Sequence, residues 1–481
     1  MLNFHPTIGF WLALAAVAVS MLSLATGTSV GYVAAQFVAL LGFAAFVQLA
    51  PRIPFAVAFV VIATLLKNFE VSQVLKIVFW QAADTNLIAP IETAWVVSAG
   101  TWGCVAAAVA YAFLSPRITF RTPLSRPLDE SLLTTAGSVF LVIGLIAKYL
   151  TVINPLGSVV FVYLSDFAYA GVAAFAWKTW RTSGGKRLFD FAGIISLILI
   201  LALSLQTGSK FTILAPFAFA IALCLSFEYL PRRATMLVGV TALVAAATII
   251  HPLITYTRAS GSDSVKSAAA ALGDVISDPS RWASVTEESD RIESHWITRL
   301  YYGRPLGLVS RFTPNQIGDL VVVAPYSHLA IGSYVATSFG GLLPQTFGFA
   351  RSNNLGQSEL ESVVQRKTVM GQNNSNYGLM ASLDIHGGLL TVFLGMAGMV
   401  AAILGLYTFG FGGERNGIWA LPWAVGGMFS MADQSLAGNL ILFTHGAIIE
   451  WSAMLVVLTL VRLVAAGGKT PVGSATQPSL R

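Results

Sequence analysis

The sequence predicts an all-α, polytopic helical membrane protein of about twelve transmembrane helices with one large hydrophilic loop. Three observations predict it: an apolar composition, recurring apolar runs long enough to cross a bilayer, and positive charge that alternates between successive loops. Of the 481 residues, 56% are apolar and only 10% are charged, whereas ordinary soluble domains carry roughly 25% charged residues. Runs of roughly 20 apolar residues match the length of helix needed to cross about 30 Å of hydrocarbon. A transmembrane barrel would need short strands of alternating polarity, and no such alternation dominates here.

Taken in order, the first run covers 8–26 and has no Lys or Arg ahead of it. A second run, 30–50, follows at once, so the first is expected to be a retained helix and not a cleaved leader. The segment 54–66 is short for a full crossing, while 91–115 and 131–150 are long and apolar. The run at 157–177 is interrupted by polar and glycine residues, and 188–206 and 211–229 flank the stretch LQTGSKFTI. The span 234–251 precedes the hydrophilic segment, and 379–410, 417–432 and 438–461 follow it, the middle one again interrupted. This divides the chain into membrane helices over 1–251, a large loop with short amphipathic helices over 252–380, further membrane helices over 381–465 and a tail over 466–481.

Basic residues in short loops mark the cytoplasmic side. One alternate set of loops holds Arg52, Arg117, Arg121, Arg126, Lys178, Arg181, Lys186, Arg187, Arg232, Arg233, Arg415, Arg462, Lys469 and Arg481, fourteen in all. The opposite set holds four: Lys67, Lys76, Lys148 and Lys210. That asymmetry places both termini in the cytoplasm and the long loop outside. The loop balances ten basic residues with ten acidic ones, so the net charge of +6 arises elsewhere. Positive charge here reports orientation and gives no argument for a nucleic-acid partner.

Chemistry is expected on the outer face. Lys210 sits in the gap between two apolar runs, where it is either an interfacial anchor snorkelling to water or a cation at the lip of a cavity. In the loop, Ser284 followed by Glu287 has the form of a capping box, predicting a helix from about Thr286 to Tyr302. Glu287, Arg291, His295 and Arg299 recur along one stripe of that helix, with Arg304 and Arg311 beyond it. Glu287 can pair with Arg291 on a solvated face. No acidic residue between Glu293 and Asp319 neutralises Arg299, Arg304 and Arg311, and planar guanidinium groups suit phosphate oxygens. Arg258 lies earlier in the loop, and His328 reads as a satisfied histidine sooner than a base.

Asp384 and His386, in SLDIHGGLL at the start of the following span, are either a base and its neighbour or the polar rim of a helix. Asp166, His445 and Glu450 interrupt apolar runs. Ionisable groups within a membrane are functional candidates by default, though pairing with one another in a structural role is equally open. Cys104 and Cys224 lie inside apolar runs and predict neither a disulfide framework nor a zinc site. There is no Walker loop, no HExxH and no Cys/His ligand set, which argues against an ATP-driven pump and a metalloprotease and leaves no metal or cofactor expected.

The TGSK motif at 207–210, the single arginine-rich outer loop and the DIHGG start at 384–388 together resemble the bacterial oligosaccharide repeat-unit polymerases, the Wzy-type enzymes of O-antigen and exopolysaccharide assembly. Members commonly carry arginine where this chain has Lys210. The resemblance implies a GT-C-like membrane glycosyltransferase at the periplasmic face of the inner membrane. It would lengthen a glycan held on undecaprenyl diphosphate, with membrane lipid and a chain-length regulator protein as partners and no metal. Lys210, Arg299, Arg304 and Arg311, with Arg258 and Arg291 behind them, would hold the diphosphate. Asp384, His386 or His295 would be the base. An O-antigen ligase is the nearest alternative, a secondary transporter the alternative of another class, and a scaffold the third. No internal repeat of the transporter kind is visible, and the long loop breaks any symmetry between halves.

Overall fold

The computed structural model describes residues 7–68, 90–115, 128–153, 159–206, 210–229, 379–385, 387–411, 417–433 and 446–467, with short pieces at 77, 80, 82–84, 273, 275–278, 280–282, 439 and 443. Of these, 88% are helical, and there are no strands among the described residues. The helices are α1 (Ile8–Ala25), α2 (Val30–Leu49), α3 (Phe55–Asn68), α4 (Pro90–Leu114), α5 (Glu130–Ile153), α6 (Val159–Ser165) and α7 (Phe167–Thr182). Then come α8 (Phe191–Gln206), α9 (Lys210–Ser226), α10 (Leu379–Ile385), α11 (Gly388–Phe411), α12 (Leu421–Asp433) and α13 (Ala447–Gly467).

Among the described residues five helices are long and apolar enough to cross a membrane: Ile8–Ala25, Val30–Arg52 (α2 with the short turn after it), Pro90–Leu114, Glu130–Ile153 and Gly388–Phe411. Phe55–Leu66, Phe191–Ser204 and Leu214–Ser226 are apolar but shorter. Many large apolar side chains face outward, among them Phe10, Trp11, Phe113, Ile198 and Leu394. In water such a surface would drive aggregation; against lipid it is the expected exterior.

The predicted spans are adjusted in three places. The run 157–177 is two helices, α6 and α7, meeting at Asp166. The run 379–410 is also two, because the chain turns between α10 and α11. Gly388 there has φ of 69°, a conformation that glycine takes without steric cost, and the Gly387 amide donates to the Asp384 carbonyl at 3.2 Å. The last described helix runs from Ala447 to Gly467, ending later than the apolar run 438–461, whose first residues lie mostly outside the described ones. The predicted span 234–251 and nearly all of the large loop lie outside the described residues.

Relative helix directions follow the charge alternation, which requires α2, α4, α7, α9 and α11 to run one way and α1 and α5 the other. The Gly9 amide, early in α1, donates to Gln48 at the end of α2 at 3.0 Å, so α1 and α2 are antiparallel. Gly31 meets Ile91 and Gly42 meets Thr101, making α2 and α4 parallel. Gly103 meets Phe393 and Met396, and the Tyr111 hydroxyl lies 2.9 Å from that of Thr408, making α4 and α11 parallel. Tyr169 packs on Phe219 and Trp180 on Phe227, at 4.9 and 5.6 Å between ring centroids, so α7 and α9 are parallel.

The closest helix contact that positions the site is between α5 and α7. A methyl group built on Gly144 would collide with the backbone nitrogen of Ala168. One on Gly171 would lie 2.8 Å from the Gly137 carbonyl oxygen, and one on Gly137 3.1 Å from the Ala174 methyl. The pairing of 137 with 174 and 144 with 168 makes these helices antiparallel. Lipid tails are as apolar as leucine, so association rests on close van der Waals packing, which small residues permit. Phe140, on the same face, meets Phe167 edge-on at 5.2 Å and Trp419 at 5.4 Å.

Replacing Gly144 by Val is therefore expected to destabilise the protein by at least about 2 kcal/mol, since overpacking costs ~1–3 kcal/mol and here backbone must move. Gly398, on α11, has open space around it. Gly398→Ala is expected to be neutral or stabilising by up to about 1 kcal/mol through helix propensity. Thermal unfolding of both variants in the same detergent checks the contrast.

Candidate functional site: a buried charge cluster

Lys148 lies on the glycine face of α5, one turn beyond Gly144, where residues four apart stack. The close approach at Gly144 carries it against α7. Its side chain is buried, 5% exposed, and its ammonium stands over the Tyr169 ring at 5.6 Å from the centroid, within cation–π range. This corrects the expectation that Lys148 belongs to an outer loop. Helical spacing carries the signal for its inward placement, because Gly137, Phe140, Gly144 and Lys148 share one face.

Asp166 occupies the joint between α6 and α7. Its amide donates to the Tyr163 carbonyl at 3.2 Å, and its carbonyl accepts from the Tyr169 and Ala170 amides at 3.0 and 3.3 Å. Aspartate at a helix N-cap ordinarily accepts a bond from the backbone with its side chain; Asp166 makes no such capping bond. Asp166 is partly buried, and its carboxyl group lies in the field of Lys148 and of the Glu450 carboxyl group.

Glu450 comes from α13 and is 2% exposed. One oxygen, Oε2, has no hydrogen-bond partner among the described residues. Two glycines leave room around the carboxyl groups. A methyl on Gly426 of α12 would lie 3.8 Å from Asp166 Oδ2. A methyl on Gly446 would lie 3.7 Å from Glu450 Oε1 and 3.2 Å from the Tyr163 ring. Next to this pocket, the indole nitrogens of Trp423 and Trp451 are buried with no partner among the described residues, their rings 6.0 Å apart. The Tyr169 hydroxyl approaches Ser204 of α8, whose own hydroxyl donates to the Ile200 carbonyl at 2.7 Å. Six helices, α5, α6, α7, α8, α12 and α13, thus meet around three ionisable side chains.

The opposite end of α5 and α7 has a different character. Arg181 donates to the Leu128 carbonyl at 3.0 Å and stacks over the Trp177 ring at 4.7 Å. Trp180 stands edge-on to Tyr229 at 6.3 Å. Basic and aromatic side chains together are the usual furniture of a membrane interface. At 1.5 Å per residue, Asp166 lies about 24 Å along α7 from Thr182, and Lys148 about 27 Å along α5 from Glu130. The cluster therefore lies far from the Lys- and Arg-bearing end.

Among the residues predicted from sequence, Asp384 is described. It is half-buried on α10, whose Leu379, Met380 and Leu383 are buried. Met380 packs on Gly100 of α4 and Leu383 on Gly395 of α11, so α10 is clamped by its apolar side. Lys210 is the first residue of α9; its side chain lies outside the described residues. So do Arg258, Arg291, His295, Arg299, Arg304, Arg311, His328, His386 and His445. In the large loop, Arg281 pairs with Asp278 at 3.5 Å on the surface. Among the described residues no group of three His, Cys, Asp or Glu could hold a metal ion.

Fold and site together define a helical bundle, five of whose helices could span a membrane, built around a buried lysine and two carboxyl groups. Family models, curated proteins and solved structures give no match to this chain.

Truncating one member of a cluster of buried charges leaves the others less compensated, at a cost of up to ~3–5 kcal/mol, the value for breaking a close buried pair. Lys148→Met is expected to destabilise by up to that amount. Combining it with Asp166→Asn, which removes the stranded charge, is expected to recover part of the loss. A double-mutant cycle on thermal stability reads the coupling; strict additivity would mean that Lys148 and Asp166 do not interact.

Proposed function

We propose that this chain is a membrane glycosyltransferase that polymerises undecaprenyl-diphosphate-linked oligosaccharide repeat units at the periplasmic face of the inner membrane. The resemblance of TGSK, the arginine-rich loop and DIHGG to the repeat-unit polymerases is the starting point. The observation that carries the reading to a residue is the setting of Asp384. It is half-exposed on a short helix whose apolar side is held between α4 and α11, directly after the large hydrophilic segment. A carboxylate so held keeps its position next to the segment that carries the arginines.

In the reaction, Asp384 takes the proton from a hydroxyl at the non-reducing end of the incoming repeat unit. That oxygen forms a bond to the anomeric carbon of the growing glycan, and the bond from that carbon to the phosphate oxygen breaks. The lipid diphosphate leaves with the bonding electron pair. Lys210 at the start of α9, with Arg299, Arg304 and Arg311 and behind them Arg258 and Arg291, stabilises the charge on the leaving group. Electrostatic stabilisation of this kind is often the largest catalytic contribution. His386 and His295 are the other base candidates.

Purified protein given a lipid diphosphate oligosaccharide is expected to make a ladder of lengthened products. Asp384→Asn should lower the rate by roughly 10²- to 10⁴-fold, the usual worth of a general base. Lys210→Ala and Arg299→Ala should abolish long product while the protein still inserts and accumulates. Normal chain lengths in both cation variants would defeat the assignment of the diphosphate site. Cells lacking the protein should accumulate single repeat units; accumulation of long lipid-linked chains would indicate ligase activity.

A further inference from the structure

We infer that Lys148, Asp166 and Glu450 form a binding site for a single exchangeable positive charge, held as a proton between the two carboxyl groups and replaceable by sodium. Asp166 and Glu450 converge on Tyr163: Gly446 lies beside both Glu450 Oε1 and the Tyr163 ring, and the Asp166 amide donates to the Tyr163 carbonyl. Two neighbouring carboxyl groups taken out of water do not both stay ionised, so one of them carries a proton. With Lys148 as the ammonium beside them, the set Lys⁺, carboxylate and carboxylic acid is neutral. Neutrality is what a low-dielectric interior demands of groups that are taken out of water.

Loss of that proton leaves the cluster with a net charge of −1. A monovalent cation restores neutrality, whereas a divalent cation overshoots it. The site has what such an occupant needs. Glu450 Oε2 is a buried acceptor with no partner among the described residues, and buried polar groups are rarely left so. Gly426 and Gly446 keep side chains away from Asp166 Oδ2 and Glu450 Oε1. The joint between α6 and α7 falls at Asp166, the kind of helix discontinuity at which ions are bound inside membrane bundles.

The titratable groups facing the carboxyl pair are Lys148 from α5, Tyr163 from α6 and Tyr169 from α7. Lys148 is the resident competitor. It sets the affinity for an incoming cation by repelling it.

The test uses the full-length protein in lightly buffered detergent without lipid-linked sugar, so that its result is separate from that of glycosyl transfer. Sodium chloride is added against a choline chloride control, and released protons are read with a pH-sensitive dye. Wild-type protein is expected to release protons to sodium, approaching a proton per chain, and none to choline. Asp166→Asn and Glu450→Gln should abolish the release while eluting like wild type. In wild type the half-maximal sodium concentration should fall as pH rises, approaching about tenfold per pH unit, as competition of one sodium ion with one proton requires. Absence of sodium-specific release from wild type, or its persistence in Glu450→Gln, would overturn the site. If the two carboxyl variants fail to elute as folded protein, the pH series on wild type decides: a half-maximal concentration that does not move with pH overturns the proposal.

Discussion

The contact on which the site depends is the meeting of two backbones, α5 and α7, at Gly144 and Ala168. In lipid no hydrophobic force pulls one apolar helix onto another, so a stable crossing needs close and extensive van der Waals contact. Gly137, Gly144 and Gly171 remove the side chains that would hold the helices apart. The benefit is more than packing. At ordinary helix spacing, with side chains at position 144, Lys148 would meet lipid or a neighbour before reaching Tyr169 and Asp166. The absent methyl group at Gly144 is what brings the ammonium one turn later to the joint between α6 and α7.

Charge in such a place is costly, and each of the three groups makes sense only with the other two. An isolated carboxylate or ammonium removed from water is strongly disfavoured, and a buried pair only approaches balance when geometry and hydrogen bonds are good. Apolar replacements are often no less stable than buried pairs. Packing alone therefore does not account for a lysine, an aspartate and a glutamate on three helices, with one carboxylate oxygen left over. Asp166 adds to this. At a helix N-cap its natural role is to satisfy the backbone, yet its side chain turns to Lys148 and Glu450 instead.

Much of the bundle was legible in the sequence, because its elements follow from hydropathy and its directions from charge. The apolar runs mark the helices within a few residues, and the alternation of basic loops foretells that α2 and α4, α4 and α11, and α7 and α9 run parallel. The helix breaks were less legible. In 379–410 the polar Asp384 and His386 beside two glycines stand at the turn at Gly388, but the same residues also fit the rim of one continuous membrane helix. Lys148 was misplaced because counting charge by loop treats a lysine near a helix end as lying beyond it. Asp166 and Glu450 stood out as ionisable groups in apolar runs, but their partnership spans more than half of the chain and no local pattern encodes it.

The two ionisable regions differ in a way that bears on how the molecule works. Asp384 is half-buried on a short helix held by its apolar side and follows the hydrophilic segment in sequence. Glu450 is closed in by α6, α12 and α13 and reaches no bulk solvent. A group of the first kind can meet a large polar substrate; a group of the second kind admits only a ligand the size of a proton or a bare ion. Any link between the two regions must therefore pass through the helices, and the element poised to carry it is α12. Its Gly426 faces Asp166, and α12 also packs against both α3 and α10. A change of charge at the cluster that shifted α12 would be felt at the short helix bearing Asp384.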